Sequence, residues 1–204
     1  MKEKKVKIAV LVSGGGTNLQ ALIDAEKSGK IKSGKISLVI SNNASAYALT
    51  RAKAARLPTR VITKAEYKEN FETELIGAIK SVGAELIVLA GFMSILSARF
   101  TKEFENRIIN VHPALIPSFC GKGFYGLKVH EAALAYGVKV TGATVHFVNE
   151  VPDGGKIIMQ KAVEVLPSDT PEILQKRVMQ QAEWQILPAA CEQVCKNILT
   201  GEEL

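Results

Sequence analysis

An α/β fold with a doubly wound, mostly parallel sheet, extended by antiparallel strands near the C-terminus, is what this 204-residue chain predicts. Three observations carry that expectation. Apolar runs of strand length alternate with segments of helical spacing through the first half, a glycine-rich turn follows the first run, and the pattern changes to a hairpin near residue 150.

Val6 to Val12 is apolar except for Lys7, the mark of a strand buried on both faces. It ends in Ser13-Gly14-Gly15-Gly16-Thr17-Asn18, after which Leu19 to Lys27 follow helical spacing. Ile36 to Ile40 forms a second strand, stopped by Ser41-Asn42-Asn43, and an Ala-rich helix follows from about Ala46 to Ala55. Pro58 opens a short third strand through Ile62. Thr63 is placed to cap the next helix, whose apolar stripe is Phe71, Leu75, Ile79 and Val82. Glu85 to Ala90 and Ile108 to Val111 are the fourth and fifth strands. Strands and helices alternating in this way give a parallel sheet with right-handed crossovers. Thr144–Val148 and Lys156–Gln160 then flank Val151-Pro152-Asp153-Gly154-Gly155, which reads as an antiparallel hairpin. Thr170-Pro171-Glu172 starts a final helix, expected to break once near Pro188. With no repeat and no low-complexity linker, residues 1–204 read as a single domain.

Composition sets outer limits. The chain is 47% hydrophobic and 23% charged, as in ordinary globular proteins, and no apolar run approaches the ~20 residues of a membrane span. The lead Met1-Lys2-Glu3-Lys4-Lys5 enters a strand directly and lacks a signal peptide's apolar region. Cys120, Cys191 and Cys195 include no Cys-x-x-Cys pair, and the last two lie four apart on a helix face, which favours core packing. These features point to the cytoplasm. The net charge of +6 is scattered, with no basic-aromatic stripe, so it suits small polyanionic substrates and makes no case for a nucleic-acid partner.

Two motifs carry the chemistry. Glycines 14–16 between a strand and a helix let backbone N–H groups approach a phosphate at the positive end of the helix dipole. Leu19 stands where a dinucleotide fingerprint has its third glycine, and strand two ends in Ser41-Asn42 without an acid. NAD is therefore disfavoured, while NADP stays open. No P-loop lysine follows the glycines. A single phosphate on a small substrate fits best, and a tight turn without ligand is the alternative.

The second motif is Asn110-Val111-His112-Pro113. Residues two apart in a strand share a face, and Pro113 ends the strand at once, so amide and imidazole stand together at its carboxyl end. An amide donor for a developing oxyanion beside a group titrating near neutrality suits acyl transfer. A capped strand end with a structural histidine explains the dipeptide equally well. The histidines His112, His130 and His146 match no zinc spacing, so no metal is expected, and His146 is read as facing the core. Cys120 has no local base signature and reads as a bystander.

Taken together, Ser13–Asn18, Ala90-Gly91-Phe92-Met93-Ser94-Ile95-Leu96, Asn110-Val111-His112-Pro113-Ala114-Leu115-Ile116-Pro117 and Asp153-Gly154-Gly155 occur in an order that closely resembles the phosphoribosylglycinamide formyltransferases, the folate-dependent enzymes of purine synthesis. The likeness runs from about residue 6 to residue 190. The Asn-x-His-Pro-x-Leu-x-Pro segment with a later Asp marks the wider superfamily that uses 10-formyltetrahydrofolate. The glycine loop is more specific to the glycinamide enzymes.

The resemblance implies a Rossmann-like catalytic domain with a division of labour. Gly16, Thr17 and Asn18 would hold the phosphate of 5'-phosphoribosylglycinamide, and Gln180 and Glu183 its glycinamide end. Met93, Ser94, Ile95 and Leu96 would wall the pterin pocket of 10-formyltetrahydrofolate, to which Asn110 also belongs, and Lys68 would serve the folate. Asn110 would stabilise the oxyanion, His112 would move protons and protonate the departing nitrogen, and Asp153 would favour the protonated form of His112. The loop Ser118-Phe119-Cys120-Gly121-Lys122-Gly123-Phe124-Tyr125-Gly126 is longer and richer in glycine than the resemblance implies, and reads as a mobile flap. Rival readings are a formyltetrahydrofolate hydrolase with water as acceptor, a methionyl-tRNA formyltransferase, and a non-enzymatic Rossmann-type binding module. Sequence does not give the oligomeric state.

Overall fold

The computed structural model describes residues 4–202, and the first residues of the N-terminal lead, Met1–Glu3, lie outside them. Among the described residues one sheet is built from β1 (Val6–Val12), β2 (Gly34–Ser41), β3 (Thr59–Val61), β4 (Leu86–Leu89), β5 (Ile108–His112), β6 (Val140–Phe147) and β7 (Ile157–Glu164). Their order is β3-β2-β1-β4-β5-β6-β7. The first five strands run parallel, while β6 pairs antiparallel to β5 and β7 antiparallel to β6. The predicted class is the observed one.

Burial on both faces explains the apolar runs. Val6, Ile8, Val10 and Val12 of β1 pack on one side with Leu19 and Leu22 of α1 (Thr17–Lys27), Ala48 of α2 (Tyr47–Ala54) and Leu187 and Val194 of α8 (Trp184–Thr200). Ala9 and Leu11 turn the other way, against Phe71, Leu75 and Ile79 of α4 (Phe71–Ser81) and Phe100 of α5 (Ala98–Glu103). Cys191 and Cys195 are free thiols within the first of these cores.

Three local expectations give way. Thr63 does cap a helix, accepting the Glu66 N–H at 3.2 Å, but that helix is the single turn α3 (Lys64–Tyr67). The backbone at Lys68 then takes φ 46°, and a 3₁₀ turn over Lys68–Asn70 leads into α4. The stripe of fully buried residues begins only at Phe71, and Tyr67, partly buried against the same core, is the one large apolar side chain that Lys64–Asn70 turn inward. The last helical run starts at α7 (Pro171–Val178), with Thr170 as its cap. Its irregularity is a π turn over Met179–Glu183, and α8 passes straight through Pro188. Pro188 has no N–H for the Trp184 carbonyl, and the ladder loosens in the turn before the proline. Finally, α5 has no counterpart in the sequence reading. It is a short helix anchored by buried Phe100 and capped by Ser97.

Candidate active site

Strand order reverses between β1 and β4, and at such a switch point the carboxyl ends of the strands leave a crevice that binds ligands. The loops leaving β1 and β2 are both joined to the loop leaving β4. Met93 N–H donates to Ser13 Oγ at 2.7 Å, and Asn42 Nδ2 donates to Ser94 Oγ at 2.8 Å. The glycine loop and the apolar loop thus form one rim. Met93 and Ile95 are 57% and 75% exposed, whereas Leu96 is buried. Apolar side chains set out beside a crevice are a suitable wall for a flat ring.

Gly16 takes φ 73°, and a Cβ there would lie 2.6 Å from the Ala48 Cβ, so α2 packs directly under the turn. Arg51 of α2 also holds the loop, its Nε–H donating to the Gly15 carbonyl at 2.9 Å. The first-turn N–H groups of α1 have no intrahelical partner and remain as anion donors. The Asn18 side chain is committed elsewhere than the sequence suggests: its Nδ2 donates to Glu183 Oε2 at 2.7 Å in a buried contact. Burial pushes the Glu183 carboxyl up to about 7, although the Asn18 hydrogen bond opposes the rise. Gln180 stands exposed on the same π turn. Lys68 is exposed at the head of α4, the helix whose Glu72 accepts the Ser97 N–H at 2.7 Å at the far end of the apolar loop. A groove of about 1160 Å³ flanks the glycine loop, running from Thr17 and Arg51 past Trp184 to Lys196. Asn110, His112 and Asp153 do not line it.

Asn110 and His112 do share one face at the end of β5. The hairpin turn brings Asp153 to them, with Oδ2 3.6 Å from His112 Nδ1. Asp153 takes φ 56°, an unusual conformation for a residue with a side chain and one that functional sites often hold. The flap residues 118–126 close over the pair through backbone atoms. His112 Nε2–H donates to the Phe119 carbonyl at 2.8 Å, and Gly121 N–H donates to Asp153 Oδ2 at 2.8 Å. Gly121, Gly123 and Gly126 all have positive φ, so these glycines serve the path of the loop.

His112 is 4% exposed, and burial pushes its imidazole below the ordinary value, outweighing the upward pull of Asp153. Asp153 does pull the imidazole towards its protonated form, but burial is the larger effect and the net shift is downward. For Asp153 the balance falls the other way. Burial would raise its carboxyl, but the facing His146, the Gly121 N–H and His112 hold it below the usual range. His130 is buried nearby and lowered to about 4 by burial, then by His112, so it is neutral. His146 is buried as expected but does not face the apolar core. Its Nε2 lies 3.3 Å from Asn110 Nδ2 and 3.6 Å from Asp153 Oδ1. The antiparallel register that pairs it with Asn110 was the missing signal. Among the described residues no group of three or more His, Cys, Asp or Glu is placed to hold a metal ion, and no helix is long and apolar enough to cross a membrane.

A phosphate-type loop, an apolar rim and an Asn–His–Asp cluster at one switch point define an enzyme of acyl transfer. The formyl transferase family profile matches residues 6–191, and the chain belongs to that family: it is a formyltransferase. Its similarities are narrower still. It is 46% identical over 184 residues to phosphoribosylglycinamide formyltransferase of Haemophilus influenzae, covering 89% of this chain and 84% of that protein. It is 44% identical over 198 residues to the human trifunctional purine biosynthetic protein adenosine-3, covering 96% of this chain but 19% of that one. The fold matches the crystal structure of glycinamide ribonucleotide transformylase 1 from Symbiobacterium toebii with TM-score 0.88 and 39% identity, over 95% of this chain and 89% of that chain. Phosphoribosylglycinamide formyltransferase from Brucella melitensis matches with TM-score 0.86 and 38% identity, over 94% and 96%.

Proposed function

We propose that this chain transfers the formyl group of 10-formyltetrahydrofolate to the amine of 5'-phosphoribosylglycinamide, a step of purine synthesis, by direct attack within one catalytic domain. The observation that supports the reading is the meeting of His112 and Asp153, with Asn110 on the same strand end, at the end of the sheet from which the glycine loop also leaves. The amine nitrogen bonds to the formyl carbon while the formyl oxygen takes up negative charge, which an Asn110 N–H stabilises. His112, neutral by burial, accepts the proton released from the attacking nitrogen and gives it to the folate nitrogen as the old C–N bond breaks. Asp153 faces His112 Nδ1 and stabilises the imidazolium while it exists. No covalent enzyme intermediate and no metal enter the scheme.

The substrate phosphate is assigned to Gly16, Thr17 and the backbone of Asn18, its glycinamide end to Glu183 and Gln180. Met93, Ser94, Ile95 and Leu96 wall the folate, with Lys68 on the outer rim. In this reading the enzyme works in the cytoplasm on two small molecules, without nucleic acid or membrane.

The test is to incubate the protein with 10-formyltetrahydrofolate and follow formyl loss with and without 5'-phosphoribosylglycinamide. Loss is expected only with the acceptor, and the formylated acceptor accumulates. Loss without it identifies a formyltetrahydrofolate hydrolase, and no loss in either case leaves a binding module.

A further inference from the structure

We infer that His146 is a positioning residue for Asn110, fixing which atoms of the Asn110 amide face the reaction. The inference rests on the formyl-transfer reading above and adds a fourth side chain to it.

The first support is register. β6 lies antiparallel to β5 with Asn110 opposite His146 and His112 opposite Thr144, so these side chains stand in cross-strand pairs at the crevice end of the sheet. His146 is 1% exposed, and a buried imidazole needs partners for its ring nitrogens. Both nitrogens have near neighbours. Nδ1 lies 2.7 Å from the carbonyl oxygen of Phe147, which can only accept, so Nδ1 carries a proton and donates. A neutral imidazole then presents Nε2 as an acceptor, and Asn110 Nδ2–H is the donor 3.3 Å away.

An asparagine amide can turn over about its last torsion, exchanging a donor for an acceptor at nearly the same place. Anchoring one N–H on His146 removes that ambiguity and leaves the second N–H of the same nitrogen as the oxyanion donor. The other group facing His146 Nε2 is Asp153 Oδ1 at 3.6 Å, so the ring also stands between the amide and the carboxylate that serves His112. A hydrophobic side chain would fill the volume and supply none of this.

The test combines His146→Leu, His146→Gln and Asn110→Ala with the double variant Asn110→Ala/His146→Leu. His146→Leu is expected to lower kcat about 10- to 100-fold, the scale of a misplaced oxyanion donor, with KM for both substrates within about twofold. His146→Gln is expected to recover most of the loss, because its Oε1 can accept where Nε2 did. In the Asn110→Ala background the leucine change is expected to cost less than about threefold, because its target is already gone. Losses that multiply in the double variant overturn the inference, as does wild-type kcat in His146→Leu. A readout independent of turnover is the imidazole ¹⁵N spectrum of the wild-type protein: protonated Nδ1 and bare Nε2 are expected at His146, and the opposite tautomer overturns the inference whatever reaction the enzyme catalyses.

Discussion

Glu183 shows how strongly a single environment can redirect a residue. The residue is 6% exposed, its carboxyl accepts a hydrogen bond from the Asn18 amide, and burial pushes it up to about 7. An acid raised in this way binds its proton more tightly in the folded state than in the unfolded chain. Its contribution to stability is therefore complete below the ordinary glutamate range and is lost as pH rises through about 7. Glu183→Gln keeps an acceptor for Asn18 and removes the titration. It is expected to flatten the fall in unfolding free energy between about pH 5 and pH 8 by on the order of 3 kcal/mol, the linkage value of a shift of this size. Denaturant unfolding of both proteins at the two pH values checks it, and parallel falls in the two would refute it. None of this was legible from the sequence. Asn18 and Glu183 lie 165 positions apart, and only the packing of α1 against the π turn makes them partners.

Elements carried by a local pattern were legible, and those set by long-range packing were not. β1 spans the residues its sequence predicts because Val6–Val12 is buried on both faces and ends at a glycine turn. The hairpin is legible, but β6 and β7 extend further from the turn, to Val140 and Glu164, because Val140–Ala143 go on pairing with Lys161–Glu164 beyond the edge of β5. The segment after β3 departs from the single helix its sequence predicts because a capping threonine and an apolar stripe, each real, belong to different helices. At the glycine loop the two levels agree. The sequence asks for small residues, and the packing of Ala48 under Gly16 explains why. Gly16→Ala is expected to raise KM for the phosphorylated substrate at least about tenfold, from strain at positive φ and the clash with Ala48, with a smaller change in KM for the folate. Adding Ala48→Gly relieves the clash but not the strain, so it is expected to restore part of the affinity. Steady-state kinetics with each substrate varied in turn decides it, and an unchanged phosphate-substrate KM would contradict the packing argument.

The proposed chemistry lies where sheet topology concentrates strand ends. Doubly wound order delivers the glycine loop from β1, the apolar rim from β4 and the Asn–His pair from β5 to one crevice, and the antiparallel extension adds Asp153 and His146. Asn110 and His112 could be read from the sequence because i and i+2 spacing and a terminal proline are local facts. The role proposed for Asp153 comes from resemblance, and that proposed for His146 needs the register of a strand that places it 36 positions after Asn110. The flap was visible as a run of glycines, yet its backbone grip on His112 and Asp153 was not, since main-chain atoms leave no mark in a sequence. The measurement that bears most directly on the account is the single-turnover rate of formyl transfer in Asn110→Ala, His112→Ala, Asp153→Ala and the triple variant, each confirmed as folded. Groups that act as one unit should each lose about a hundredfold or more, with the triple variant hardly worse than the poorest single one. Near wild-type turnover in any folded single variant would contradict it.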